Sequence, residues 1–168
     1  MESSHVVHPI PALYDDSSCI LILGSFPSVK SRESRFFYGH PQNRYWRVLA
    51  AITEDEVPAT VDEKRAFLLR HHIAAWDVIG SCEITGSSDS SIRNAVPNDL
   101  TPILVAANIR QIFTNGKTAD RMYRKYCEKQ TGRNAVCLPS TSPANAKADL
   151  PGLVEAYGCV ARSVSQAS

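Results

Sequence analysis

Apolar residues gather along the chain in four short runs, the first of them unbroken, separated by stretches in which they recur every three or four positions. The runs are Cys19-Ile20-Leu21-Ile22-Leu23, Ile73 to Ile79, Ile109 to Thr114 and Asn134 to Leu138. A short unbroken run suits a strand covered on both faces, as in a parallel sheet, whereas a half-solvated strand alternates. Between them lie the helical stretches. Asn43 is placed to cap a helix running to Thr53, with Tyr45, Trp46, Leu49 and Ile52 as its apolar stripe. A second helix runs from Asp62 to His72, a third carries Leu104 and Val105 behind a cap at Asn98 or Asp99, a fourth runs from Lys117 to Lys129, and a last one follows Pro151. This alternation predicts an α/β three-layer sandwich: a central four-stranded parallel sheet near 19–24, 73–79, 109–114 and 134–138, right-handed crossovers, and helices on both faces. Residues 1–18 are polar and punctuated by proline, and read as an arm. At 168 residues the whole chain, 1–168, has the size of a single domain.

In open parallel sheets ligands bind beyond the carboxyl ends of the strands. The segments there are Gly24-Ser25-Phe26-Pro27-Ser28, the Ser-rich stretch after Gly80, and Pro139 to Pro143. Behind the first lie Phe36, Phe37 and Tyr38, among Lys30, Arg32, Arg35, Arg44 and Arg47, with only Glu33 opposing them. Aromatics to stack a base and cations to hold its phosphates are the combination that nucleic-acid sites use. Three adjacent aromatics also suit a core, but they cannot all point one way, so one is assigned to the cleft. The net charge of +1 gives no overall pull toward nucleic acid. A second basic cluster, Lys117, Arg121, Arg124, Lys125, Lys129 and Arg133 against Asp120 and Glu128, is compatible with a solvated helix face or with a basic stripe.

Several chemistries are excluded or weakened. Asn115-Gly116-Lys117-Thr118 imitates the end of a phosphate-binding loop, yet Gln111 stands where its first glycine belongs; a helix start there could still hold a DNA phosphate. His71 and His72 lack the spacing and the carboxylate of a metal site, and no G-x-S-x-G elbow is present. Five cysteines form an odd set without a C-x-x-C pair, so they read as buried free thiols, Cys82 at a strand end included. No metal or other cofactor is expected. No apolar run approaches the ~18 residues of a membrane span and no secretory leader is visible, which predicts a cytoplasmic protein.

GSFPS followed by FFYGHPQNRYW resembles the first motif region of the uracil-DNA glycosylase superfamily, most of all its hypoxanthine (deoxyinosine) branch, and HPQNRYW is similar to the HPxNRFW run of the mismatch-specific uracil glycosylases. WDVIGSCEITGSSDSSI at 76–92, FTNGKTA, and LPSTSPANA at 138–146 extend the resemblance from residue 19 to the end of the domain. It implies a monofunctional DNA glycosylase for base excision repair. Such an enzyme flips a deaminated base, hypoxanthine first and uracil second, and hydrolyses its N-glycosidic bond as a monomer on DNA. Asn43 then holds the water. Gly24, Ser25, Phe26, Pro27, Ser28, Gly39 and His40 line the base pocket, Tyr38 stacks, and Asp77 and Ser81 read base edges. Arg44, Lys117, Ser140, Ser142, Pro143, Asn145 and Lys147 contact DNA, with 140–145 pressing into the minor groove.

Two positions depart from that family's pattern. Phe26 stands where the uracil enzymes place the Asp or Asn of G-x-(D/N)-P, and Leu138 stands where they place the histidine of HPS. The second departure favours a purine, which offers N7 and N3 for protonation, or a slower, broader enzyme. A non-catalytic nucleic-acid or nucleotide-binding domain on the same fold is the alternative.

Overall fold

Each of the four apolar runs forms a strand, and the four pair in parallel. The computed structural model describes residues 2–165. In chain order the elements are β1 (Ser4–Val7), β2 (Ile20–Gly24), α1 (Val29–Ser34), α2 (Tyr45–Thr53), α3 (Val61–Arg70), β3 (Ile73–Asp77), β4 (Ile79–Ile84), β5 (Arg93–Pro97), α4 (Thr101–Ala106), β6 (Gln111–Asn115), α5 (Lys117–Tyr126), α6 (Glu128–Thr131), β7 (Ala135–Leu138) and α7 (Leu150–Ser165). The parallel sheet has the order β3-β2-β6-β7. Ile20 and Ile22 face one layer, with Leu49 of α2, Phe67 of α3 and Tyr157 of α7. Leu21 and Leu23 face the other, with Ile103 of α4 and Tyr123 of α5. Every residue of β2 is buried, and each such aliphatic side chain stabilises the fold by roughly 1.5–3 kcal/mol relative to exposure. The architecture is the expected three-layer α/β/α sandwich.

The third-layer boundary differs from the expected one. The run 73–79 is two strands: β3 ends at Asp77, where the Val78 and Ile79 N–H groups donate to the Gly24 and Ser25 carbonyls at 2.8 and 3.1 Å. The chain then enters a second, antiparallel sheet of order β1-β4-β5. The arm is therefore part of the fold, since β1 pairs with β4 from Ser4↔Ile84 to Val7↔Ser81. Local chemistry explains the other shifts. The Asn43 Oδ1 accepts the Tyr45 N–H at 2.9 Å, so Asn43 ties off α2 from one residue outside it. Thr60 and Glu63 form a capping box that starts α3 early. His71 and His72 lie past the end of α3, where His71 pairs with Asp55 at 2.7 Å. Ser28 caps the unforeseen α1 by accepting from the Ser31 N–H, and the stretch 117–129 breaks at Cys127 into α5 and α6.

The turn from β6 into α5 depends on Gly116, which has φ 100° and approaches Ser140 so closely that an added Cβ would lie 3.0 Å from the Ser140 Cβ. Gly116→Ala is expected to destabilise the protein by about 1–3 kcal/mol through left-handed strain and this contact. Urea unfolding checks it through a lower midpoint at unchanged slope.

Candidate active site

The carboxyl ends of all four parallel strands open on one cavity of about 360 Å³. The β2 end contributes Gly24 through Ser28, β3 contributes Asp77, β6 contributes Asn115, and the segment after β7 contributes Ser140, Thr141, Ser142, Pro143 and Ala144. Tyr38, His40 and Asn43 complete the wall, so Asn43 and Ser140 lie on the same side of the sheet. A neighbouring depression holds Lys117 and Asn145 and shares Asp89, Asn115 and Ser140 with the first.

Two residues expected in the base pocket, Ser81 and Gly39, lie outside it, and two expected to contact DNA, Arg44 and Lys147, line neither cavity. Ser81 is in β4, paired with Val7 and Val96, because the chain has already crossed to the second sheet. Gly39 packs on α1, its N–H donating to the Ser31 Oγ at 2.9 Å. Lys147 is exposed and lines neither cavity. Arg44 is turned inward: its Nη2 donates to the Ser142 and Asn145 carbonyls at 2.8 and 3.1 Å, and its Nη1 donates to the Ala148 carbonyl. With four donors on backbone carbonyls, this guanidinium holds the 141–148 segment in place.

The polar groups that do reach the cavity are anchored. Asn115 spends both ends of its amide on Thr141, Nδ2 donating to Oγ1 and Oδ1 accepting the N–H, each at 3.0 Å. Asn43 lines the cavity and uses its Oδ1 on the Tyr45 N–H, and its Nδ2 has no partner among the described residues. Asp77, 4% exposed, has Oδ2 2.7 Å from the His8 Nε2. The His8 Nδ1 accepts the Ile10 N–H at 3.1 Å. Neutral His8 therefore carries its hydrogen on Nε2 and donates it to the carboxylate. The Asp77 Oδ1 lies against Gly24, where a Cβ would be 2.4 Å away.

Tyr38, at φ 50°, stacks on Tyr45 with ring centroids 3.7 Å apart, so one of its faces is already covered. Both hydroxyls are buried without a well-formed hydrogen bond. Burial, and then the neighbouring Tyr45 and Asp77, push the Tyr38 hydroxyl well above the usual tyrosine range; Asn115 opposes this. The Cys82 thiol is likewise pushed up, mainly by burial, and is no nucleophile.

Two further groups belong to the site. Asp89 lines both cavities and accepts a hydrogen bond from the Ser25 Oγ at 2.9 Å. Burial raises its pKa above the usual carboxylate value, Ser25 and Arg121 opposing and Asp77 adding to the shift. It is the only acid between Glu83 and Asp99 in the Ser-rich stretch, a signal that could have singled it out. His8 had no such signal, because its partner lies 69 residues away.

Comparison with known proteins is consistent with this geometry. The family model described as the uracil DNA glycosylase superfamily matches residues 11–156. A hypoxanthine DNA glycosylase of Methanosarcina acetivorans is 34% identical over 137 residues, 80% of this chain and 85% of the relative. One from Methanosarcina barkeri is 32% identical over 109 residues, 64% of this chain and 69% of the relative. A solution NMR structure of a candidate uracil DNA glycosylase from Methanosarcina acetivorans superposes with a TM-score of 0.79 at 30% identity, covering 93% of this chain and 96% of that one.

Arg44→Ala is expected to cost about 1.5–3 kcal/mol, the scale of hydrogen bonds to a charged group. Amide exchange should accelerate across 141–148, while the salt dependence of DNA binding keeps its slope. A flattened slope with unchanged exchange would return Arg44 to the phosphate-binding role.

Proposed function

Because the chain belongs to the uracil DNA glycosylase superfamily, we propose that it is a monofunctional DNA glycosylase that hydrolyses the N-glycosidic bond of hypoxanthine flipped out of DNA, with uracil as a second substrate, in base excision repair. The observation that carries this reading is the Asn43 amide, which lines the cavity at the strand ends with its oxygen fixed on the Tyr45 N–H and its nitrogen without a partner among the described residues. Cleavage at an anomeric carbon builds oxocarbenium character on the sugar, so the site must place a water and stabilise the departing base. The Asn43 Nδ2–H donates to that water and leaves a lone pair aimed at C1′. An amide cannot take the water's proton, so it acts by position.

Phe26 cannot assist. It is 7% exposed, packs edge-on to His8 at 5.8 Å and lies under the Arg32 guanidinium, which makes it a wall. Asp77 reads the base edge through Oδ1, and the uncovered side of Tyr38 meets the base. The segment from Ser140 to Asn145, pinned by Arg44 and Asn115, fills the space left in the duplex, as inserted wedges do, while Lys117 contacts the backbone. The enzyme acts on DNA as a monomer in the cytoplasm.

Asn43→Ala should lower single-turnover excision of hypoxanthine by roughly 10²- to 10³-fold, the cost of one preorganised group, and weaken binding to product DNA far less. The lost cap costs about 1 kcal/mol and leaves the protein folded. Near-parent excision by folded Asn43→Ala would remove the water-positioning role, and binding without excision by the parent would remove the enzyme.

Excision is also expected to persist in EDTA, since the described residues contain no group of three or more His, Cys, Asp or Glu that could hold a metal ion. Loss of activity in the chelator, restored by zinc or magnesium, would reveal a metal requirement.

A further inference from the structure

Resting on the glycosylase reading, we infer that Asp89 is the proton donor to the departing base and that the site is thereby matched to a purine leaving group. Few groups in the cavity could fill the role. Asp77 is engaged as an acceptor by His8 through Oδ2, and its Oδ1 is the one that reads the base edge. The amides of Asn43 and Asn115 do not ionise, and Tyr38 is too weak an acid, its hydroxyl being driven up by burial. Leu138 occupies the position of the family's leaving-group histidine and is buried in the core. Asp89 and His40 remain, and of the two Asp89 is the one held by another group of the lining: Ser25 donates to its Oδ1, and no hydrogen bond to its Oδ2 is formed among the described residues.

The charged and titratable groups around Asp89 come from three elements. Asp77 at the end of β3 favours a proton on it, as does burial, while Arg121 of α5 opposes. Cys82 of β4 feels its charge, and Lys117 at the start of α5 borders the same depression. Two carboxyls in one cavity thus have separate environments, one tied to a histidine and one biased toward its acid form. That is how paired carboxyls divide acceptor and donor roles.

The step balances as follows. The C1′–N9 bond breaks and its electron pair passes into the purine ring. The Asp89 Oδ2–H gives its proton to N7, so that neutral hypoxanthine leaves. The oxygen of the water held by Asn43 bonds to C1′ and releases a proton to solvent, and solvent reprotonates Asp89. Uracil has no basic ring nitrogen equivalent to N7 and gains less. His40 also lines the cavity; its Nδ1 accepts the Gln42 N–H at 3.1 Å, which puts its hydrogen on Nε2 and makes it the rival donor.

The test is single-turnover excision by the parent, Asp89→Asn and His40→Gln on duplexes carrying deoxyinosine, 7-deaza-2′-deoxyinosine or deoxyuridine. Asp89→Asn should slow deoxyinosine by about 10²- to 10⁴-fold, the usual contribution of general acid catalysis, and deoxyuridine by less. The 7-deaza substrate should slow the parent comparably but add little to Asp89→Asn, whereas its penalty should multiply with that of His40→Gln. The parent rate should fall as pH rises through the titration of Asp89 and become flat in Asp89→Asn.

Stability gives a second readout. A carboxyl whose folded pKa lies above its unfolded value of 3.8 loses stability as pH rises from that value through the folded one. Asp89→Asn escapes this loss, so its Tm at neutral pH should equal or exceed the parent's. Near-parent excision by Asp89→Asn, penalties that multiply with the 7-deaza substrate, or a 7-deaza effect abolished by His40→Gln instead would overturn the assignment. A parent that excised no deaminated base would overturn the glycosylase reading itself, and this one with it.

Discussion

The site depends on a buried carboxylate packed against a glycine. Asp77, at the last residue of β3, lies on Gly24, the last residue of β2, at a distance no larger side chain would allow. Burying a carboxylate costs several kcal/mol unless hydrogen bonds compensate, and here the compensation comes from His8 in the N-terminal arm. One contact therefore joins the arm, the second sheet that the arm helps to form, and the floor of the cavity. Around it the backbone turns sharply: Val78 and Ile79 bond to the β2 end, and the Asn98 Nδ2 donates to the carbonyls of Asp77 and Ile79 at 2.9 and 3.2 Å. The crossing from one sheet to the other is thus built from the same residues that shape the cavity.

A second constraint acts from the opposite wall. The segment after β7 has little regular structure, yet its carbonyls are gathered by Arg44 from 97 to 104 residues earlier in the chain. Asn115 holds Thr141 from the end of β6. The Arg44 backbone N–H also donates to the Thr141 carbonyl at 3.1 Å, so the start of α2, which carries Asn43, moves with the segment it faces. The linkage gives the Asn43 amide and the 141–148 segment a fixed separation across the cavity, which the proposed roles of positioned water and inserted wedge require.

The parallel sheet was legible because buried strands leave apolar runs: β2 is buried throughout and β3 and β6 largely so, while β7, at the sheet edge with Val136 and Cys137 exposed, keeps the apolar composition without the burial. β1 and β4 were not. β1 is four largely exposed residues, and β4 alternates Ile79, Cys82 and Ile84 with half-buried Gly80, Ser81 and Glu83 across register shifts, within a stretch whose serines imitate a loop. Ser81 was misplaced for that reason. In the site, the strand-end rule reached Gly24 to Ser28 and Ser140, while Asn43, Tyr38 and Asp77 needed the family resemblance. The inward turn of Arg44, the His8 partner of Asp77 and the Ser25 partner of Asp89 were hidden, since each is a pairing across long sequence separation that no local pattern records.

The two departures from the uracil enzymes have a common physical consequence. Phe26 and Leu138 stand where those enzymes carry polar groups, and both are buried in apolar clusters, one on each face of the sheet. Each strand end thereby gains core and loses a polar group aimed at the ligand. The polar groups left in the cavity are set by other elements: Asn43 by the start of α2, Asp77 by the arm, Asp89 by the Ser25 hydroxyl. None of them can be moved into the position of Phe26 or Leu138, so water and leaving group, if served at all, are served from new directions. A cavity so arranged suits a base whose acceptors lie on a different edge from those of uracil, and hypoxanthine, with its imidazole nitrogen, is such a base.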